Sequence, residues 1–149
     1  MKKIAILASG EGTNAERIIR YFLEKRTAEV ALVIVNKAQA GVLKRAERLS
    51  VPSLILTAQE FADGKVLETL HQYHIDFIVL AGFLLKVPDA ILHDYPNKIV
   101  NIVKMRELIN SDEFVNSQSK LTVILGKDIA GNVTVADLAK MPHLLIAGS

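Results

Sequence analysis

The sequence predicts an α/β protein with a Rossmann-like open, mainly parallel sheet, helices on both faces, and a C-terminal β-hairpin and strand that extend it. The run at 4–8 is short, branched and almost wholly apolar, which is typical of a strand buried on both faces. From Ala15 to Leu23 the apolar residues follow helical spacing. Strand-like and helix-like segments then alternate through the first hundred residues, which indicates right-handed βαβ crossovers.

A glycine-containing loop joins the first strand to the first helix. Gly10 and Gly12 allow a tight turn, and Thr13 with Glu16 three residues later predicts a capping box that starts the helix. Backbone amides at a helix start bind anions, most often phosphate. The loop, with Asn14, therefore predicts a phosphate site from which Glu11 should point into solvent. The alternative is that the glycines serve only the turn and bind nothing.

The rest of the first hundred residues continues the alternation. The predicted elements are strands at 29–35, 51–56, 77–80 and 98–103 and helices at 41–49, 59–73 and 88–93. Gly64 weakens the helix at 59–73 near its first turn. Ligands of such sheets bind beyond the carboxyl ends of the strands, where the glycine loop, Asn36 and Gly82 should converge.

The pattern changes after Asn101. A short helical or irregular piece at 105–109 precedes two polar stretches, and strands at 121–125 and 132–138 flank a turn-rich segment, which predicts a hairpin. A last short strand is predicted at 144–147. We expect residues 103–149 to complete the same single domain that residues 1–102 begin. If the apolar faces of these added strands match the sheet imperfectly, an apolar patch or an open sheet edge remains, which favours a homodimer.

Composition excludes several classes of protein. The 149 residues, half of them hydrophobic, suffice for one domain with a real core. The absence of cysteine excludes disulfides and thiolate metal sites and favours the cytoplasm. The longest apolar run, at 77–85, is far shorter than the roughly 18 residues of a membrane span. The four histidines show no metal-ligand spacing, so no metal is expected, and a net charge of +2 does not argue for nucleic acid.

The glycines also fit the dinucleotide fingerprint Gly10-x-Gly12-x-x-Ala15. A dinucleotide site further requires an acidic residue after the second strand, to hold the ribose. This chain has Asn36 and Lys37 there, which disfavours a nicotinamide cofactor.

Residues 1 to about 102 resemble the N-terminal half of the glycinamide ribonucleotide formyltransferases, folate-dependent enzymes of purine synthesis. The resemblance rests on four segments in the family's order and spacing: Ala8-Ser-Gly-Glu-Gly-Thr-Asn14, Asn36-Lys37, Val79-Leu-Ala-Gly-Phe83 and Ile99-Val-Asn-Ile102. It implies that Gly10, Gly12, Thr13 and Asn14 hold the ribonucleotide phosphate. It also implies that Leu84, Leu85, Lys86 and Val87 are what remains of the folate pocket, and that Asn101 is the catalytic asparagine.

The chain departs from that family directly after Asn101. The family continues Asn-Ile-His-Pro, whereas this chain has Val103 at the position of the histidine. The family's catalytic aspartate, further downstream, is also missing. Formyl transfer needs an amine deprotonated and an oxyanion stabilised, and Asn101 alone supplies one hydrogen-bonding group.

Residues from about 103 to 149 resemble a different family, the segment before the phosphate loop of FtsK/SpoIIIE-type DNA translocase motors. The run Ala136-Asp-Leu-Ala-Lys-Met-Pro-His-Leu-Leu145 carries most of this resemblance. The resemblance implies a phosphate loop with a lysine and a hydroxyl residue after Gly148, and without these residues we expect no nucleotide hydrolysis. The segment has five basic and five acidic residues, so we expect no nucleic acid partner.

Together these observations predict a chimeric scaffold, engineered or recombined, without catalytic turnover and with a residual phosphate-binding loop. Its expected ligands are phosphate or glycinamide ribonucleotide, and no cofactor or membrane is expected. The alternative is an active or weakly active folate-dependent phosphoribosylglycinamide formyltransferase, with formyl-tetrahydrofolate as co-substrate. That enzyme would need another acid or base in place of the missing ones.

Overall fold

A computed structural model describes residues 1–102, 108–127 and 132–141. The chain divides into two compact units, Met1–Ile102 and Val103–Ser149. The boundary falls where the character of the sequence changes. That the second unit completes the domain of the first stays a prediction.

Five parallel strands form the sheet of the first unit. They are β1 (Lys2–Ala8), β2 (Ala28–Val35), β3 (Ser53–Ile55), β4 (Phe77–Ala81) and β5 (Ile99–Ile102), in the order β3-β2-β1-β4-β5. The first strand is therefore central, paired with β2 on one side and with β4 on the other. This confirms the predicted mainly parallel sheet. Of the predicted fifth strand, Val103 lies outside the described residues.

Helices connect these strands. They are α1 (Thr13–Lys25), α2 (Val42–Arg48), α3 (Ala58–Ala62), α4 (Lys65–Gln72) and α5 (Asp89–Asp94). The single helix predicted at 59–73 is wrong, because two helices occupy that stretch. Gly64 has φ of 86° in the left-handed region, where the α-helix cannot continue, and it caps the start of α4 instead.

Each face of the sheet is covered by its own core. On one face Ala5 and Leu7 of β1 pack in a cluster with Phe61, Val66 and Ile91 from α3, α4 and α5. On the other face the alternate β1 residues, Ile4, Ile6 and Ala8, pack in a cluster with residues of α1 and α2 (Ala15, Ile19, Val42 and Ala46). Both faces of β1 are thus buried, which explains why its sequence is apolar at successive positions.

The second unit contains a β-hairpin. Strands β6 (Thr122–Lys127) and β7 (Val133–Asp137) pair antiparallel, which confirms the predicted hairpin. The register shifts between Ile124 and Gly126, and Gly126 has a positive φ of 139°. Within the described residues β6 and β7 form a two-stranded sheet.

Two further elements of the second unit are short. Helix α6 (Asp112–Val115) precedes the hairpin, and a 3-10 turn, Leu138–Lys140, follows it. Leu108 and Ile109 are helical, whereas 105–107 and the strand predicted at 144–147 lie outside the described residues. Within the three described ranges, no helix is both long enough and apolar enough to cross a bilayer.

Candidate functional site

The glycine loop lies at the carboxyl end of β1, as predicted. Helix α1 begins at Thr13, and Gly12, with φ of 73°, is its N-cap. The predicted capping box of Thr13 and Glu16 is wrong, since Thr13 is already the first helical residue and no side chain caps the helix. The Glu16 carboxylate instead accepts hydrogen bonds from Arg20, Arg45 and Arg48.

Gly12 is required by packing as well as by its backbone conformation. A Cβ atom at this position would lie 2.3 Å from Cβ of Val42. The loop therefore sits directly on α2, with no room for a side chain. By contrast, a Cβ at Gly10 would meet nothing within 4 Å. Of the two glycines that the sequence singles out, Gly12 thus has a structural reason that requires no ligand.

Hydrogen bonds hold the loop from two sides. On the side of α2, the Val42 amide donates to the Gly10 carbonyl at 3.2 Å, and Arg45 Nε donates to the Glu11 carbonyl at 2.6 Å. On the side of β4, buried Ser9 donates its amide to the Gly82 carbonyl, and its Oγ accepts from the Leu84 amide at 3.0 Å. The loop is therefore fixed before any ligand binds.

The first amides of α1 remain available for an anion. No side chain caps this helix, and Thr13 and Asn14 donate their amides to no acceptor in the part of the chain that the structure describes. A helix start also carries the positive end of the helix dipole. Glu11 is exposed, and its carboxylate lies against Gly41 of the α2 start, consistent with the expectation that it faces away from a bound anion.

Asn101 lies near the end of β5, one residue before the strand ends, and is half-buried. Its register partner is Leu80 of β4, and Leu7 of β1 pairs with the same Leu80. Two strand spacings therefore separate Asn101 from β1, about 10 Å. Asn101 and the glycine loop share one edge of the sheet, although neither cleft beside the loop is lined by Asn101.

The four residues predicted as a folate-pocket remnant have different environments. Leu84 is 72% exposed, whereas Val87 is 2% exposed and belongs to the core beneath α5. Leu85 is half-buried against the same core, and exposed Lys86 lies 3.8 Å from Asp89. They follow β4 at the same edge as the loop, but only part of the set faces solvent.

Asn36 follows β2 at this edge, where a dinucleotide site would need an acid. Its Oδ1 is buried and has no hydrogen-bond partner among the described residues. A buried acceptor without a donor is costly, and most such atoms are paired by protein, water or ligand. The sequence showed only that Asn36 is not acidic, so this unpaired acceptor could be found only from the packing.

The histidines and acidic residues offer no metal site in the described part of the chain. Over the described ranges, no group of three or more histidine, aspartate or glutamate side chains could hold a metal ion. His71 pairs with Asp94 at 2.5 Å, and His143 lies outside the described residues. Two features of the site were not predicted from the sequence. These are the hydrogen bonds that buried Ser9 makes with Gly82 and Leu84, and the arginines around Glu16. For the arginines, the only signal in the sequence was the spacing of four residues between Glu16 and Arg20 on one helix.

Comparison with known proteins divides the chain at nearly the same residue as the sequence does. The formyl transferase family model matches residues 2–103, and the FtsK/SpoIIIE family model matches residues 104–149. The DNA translocase FtsK of Caldanaerobacter subterraneus subsp. tengcongensis is 55% identical over 60 residues, which are 40% of this chain and 8% of that protein.

The formyltransferase match extends to individual proteins and to a solved structure. The phosphoribosylglycinamide formyltransferase of Bacillus subtilis is 34% identical over 108 residues, 68% of this chain and 55% of that protein. The crystal structure of glycinamide ribonucleotide transformylase 1 from Symbiobacterium toebii matches with a TM-score of 0.64 and 34% identity, over 68% of this chain and 50% of that one. The chain thus spans about half the length of the formyltransferases that it matches, and it belongs to the formyl transferase family.

Proposed function

We propose that the protein is a chimeric scaffold without catalytic turnover that keeps a phosphate-binding loop at Gly10, Gly12, Thr13 and Asn14. The observation that carries this proposal is the start of α1, which has no side-chain cap and presents unpaired amides. Fixed amides bind an anion without the cost of ordering a loop. Inorganic phosphate and the phosphate of glycinamide ribonucleotide are the expected ligands.

Two observations support the absence of turnover. Asn101 is a neutral amide, which donates and accepts hydrogen bonds but does not take up a proton at neutral pH. The resemblance to glycinamide ribonucleotide formyltransferases implies a histidine two residues later, where this chain has Val103. General base catalysis by a positioned side chain contributes typically about 100- to 10,000-fold in rate, so its loss is severe.

The chimeric origin is supported by the two adjoining family matches. One family accounts for residues 2–103 and an unrelated one for residues 104–149, with no residues between them. We propose that a formyltransferase fragment was joined to a translocase fragment at this point, by engineering or by recombination.

An amide-resolved NMR titration tests the loop. Phosphate, and then glycinamide ribonucleotide, should give saturable shifts confined to Gly10, Gly12, Thr13 and Asn14. The Gly10→Asp variant should abolish them, because it places a negative charge at the loop in a position with open space. The isosteric Gly10→Asn variant is the control and should retain them. A folded protein whose loop amides do not shift would refute the phosphate site.

An assay with formyl-tetrahydrofolate and glycinamide ribonucleotide tests the alternative, an active or weakly active formyltransferase. The scaffold proposal expects no formyl product above the uncatalysed rate. Measurable turnover that the Asn101→Ala variant abolishes would overturn the proposed inactivity and make formyl-tetrahydrofolate a true co-substrate. The Lys98→Ala variant, an exposed change near the start of β5, serves as the control.

Self-association is a further part of the proposal. In residues 108–127 four large apolar side chains are 46% to 65% exposed: Ile109, Val115, Leu121 and Leu125. The outer edge of β5 pairs with no further strand in the described sheet. Both features favour a homodimer, and sedimentation velocity between about 5 and 500 μM checks it in the range where weak dimers dissociate.

A further inference from the structure

Five cations lie together on the adjoining surfaces of α1 and α2. We call this set the arginine cluster, and its members are Arg17, Arg20, Lys44, Arg45 and Arg48. Arg17 and Arg20 stand one turn apart on α1, and the other three occupy one turn of α2. Both helices cover the same face of the sheet.

Glu16 is the centre of the cluster. Its Oε1 accepts from Arg20 Nε at 3.0 Å, from Arg20 Nη2 at 2.9 Å and from Arg48 Nη2 at 3.1 Å, and its Oε2 accepts from Arg45 Nη1. The Glu16 side chain is 13% exposed. Hydrogen bonds from Arg45, and then from Arg20, lower the pKa of its carboxyl below the ordinary value. Three guanidinium groups thus share one ionised carboxylate.

The cluster has more positive charge than its own acids neutralise. Glu16 and Glu11 are the two carboxylates that line its clefts, so five cations against two anions leave an excess of three positive charges. Arg17 and Lys44 have no ion-pair partner within the described ranges. One arginine would suffice to hold Glu16, and the additional like charges repel one another unless a further anion binds.

Two clefts flank Arg45 and share it. The larger, of about 560 Å³, is lined by Glu11, Lys44, Arg45 and Arg48 together with Ala38, Gln39, Ala40, Gly41 and Leu43. The smaller, of about 270 Å³, is lined by Thr13, Glu16, Arg17, Arg20 and Arg45. A ligand with charge at both ends can therefore contact cations in both clefts, with the Arg45 guanidinium between its ends.

We propose that the arginine cluster binds a small anion with two or more linked phosphate groups, as in a nucleoside diphosphate or triphosphate. Phosphate suits the cluster because a guanidinium group donates two parallel hydrogen bonds to its oxygens. Linked phosphates suit it because there are two clefts and three excess charges. The site uses arginine and lysine side chains, whereas the proposed loop site uses the backbone amides of residues 10–14, and Thr13 adjoins both.

Calorimetric titration with inorganic triphosphate and with orthophosphate, at 50 and 200 mM salt, tests this site. We expect triphosphate to bind at least tenfold more tightly than orthophosphate at 50 mM salt. The double variant Arg17→Gln/Arg48→Gln should weaken triphosphate binding at least tenfold. The control, Lys25→Gln/Lys98→Gln, removes the same charge from exposed positions outside the cluster and should change binding less than twofold.

NMR signals of the arginine Nε groups separate the two sites. Triphosphate should shift the Nε signals of Arg17, Arg45 and Arg48 in a saturable way. Shifts limited to the amides of 10–14 would assign the binding to the loop and overturn the proposal. So would equal weakening in both double variants, equal affinity for both phosphates, or tighter binding of a 20-base-pair DNA duplex than of triphosphate.

Discussion

The two units contain strands of similar apolar character with different burial. In the first unit the last five residues of β1 and the last six of β2 are buried between two layers of helix. In the second unit every residue of β6 and β7 is half-buried or exposed. Leu32 is 0% exposed and Leu125 is 58% exposed. An apolar strand is therefore stabilised by the elements that cover its faces, and the hairpin has few of these among the described residues.

This difference determines where the stability of the protein resides. Complete burial of a leucine side chain contributes about 1.5–3 kcal/mol relative to exposure. An isolated two-stranded hairpin is marginally stable in water. The first unit should thus supply nearly all of the free energy of unfolding, and substitutions in the two units should differ in effect.

The largest effect is expected from Leu32→Ala in β2. The change removes a fully buried side chain from the core on one face of the sheet, so the free energy of unfolding should fall by about 4 kcal/mol. Urea unfolding followed by circular dichroism measures the loss. A loss below about 1 kcal/mol would mean that this core is loosely packed.

The next effect is expected from Gly12→Ala. The new methyl group would contact Val42 and alanine is strained at φ of 73°, so the free energy of unfolding should fall by about 3 kcal/mol. The same urea titration measures it. Gly10→Ala is the matched control, because its Cβ would meet open space, and equal losses in both variants would contradict the packing role of Gly12.

A smaller effect is expected from Glu60→Gln, on the loss of thermal stability at acid pH. A hydrogen bond from Lys65, and then those from Thr57, lower the pKa of Glu60 to about 2, from an ordinary value of 4.5. Because the folded pKa lies below the unfolded one, the stability that Glu60 adds is present above pH 4.5 and is lost as the pH falls toward 2. Glu60→Gln should therefore flatten the decline of the thermal midpoint over this window.

Thermal melts at closely spaced pH values provide the measurement. Glu24→Gln, at a 73% exposed side chain on α1, is the control and should leave the decline as it is in the parent protein. If both variants flatten the curve equally, general charge rather than the local hydrogen bonds of Glu60 sets the acid sensitivity.

The smallest effect is expected from Leu125→Ala in β6. An exposed side chain away from a core changes the free energy of unfolding by less than about 0.5 kcal/mol. The urea titration that measures Leu32→Ala gives the direct comparison. A loss as large as that of Leu32→Ala would show that the hairpin face is covered, for example in a dimer, and sedimentation at the same concentration would identify that case.

The sequence was sufficient for the parallel sheet because central strands are buried on both faces and are therefore apolar without alternation. The residues at which helices begin and end could not be predicted from the sequence, since these depend on the contacts of single residues. The pattern of threonine and glutamate three residues apart occurs at Thr13 and again at Thr57. Only the second forms a capping box, because Thr57 is the N-cap of its helix, whereas Thr13 already lies inside α1 and Glu16 instead binds Arg45 and Arg48, which are distant in sequence.

The candidate site was predicted in part. The loop, the end of β4 and Asn101 were expected at one edge, because carboxyl ends of parallel strands meet there, and they do lie there. The unpaired Oδ1 of Asn36 and the burial of Val87 depend on how neighbouring side chains pack. No pattern within a single segment encodes such a contact.

The central position of β1 has a consequence for synthesis on the ribosome. Strand β1 can pair with β2 soon after residue 35 emerges, but its other edge is filled by β4, which begins at Phe77. At about 5–20 residues per second, the intervening 41 residues take roughly 2–8 seconds. During that time the central strand of the nascent sheet has an open edge, which exposes it to misassembly and to chaperone binding.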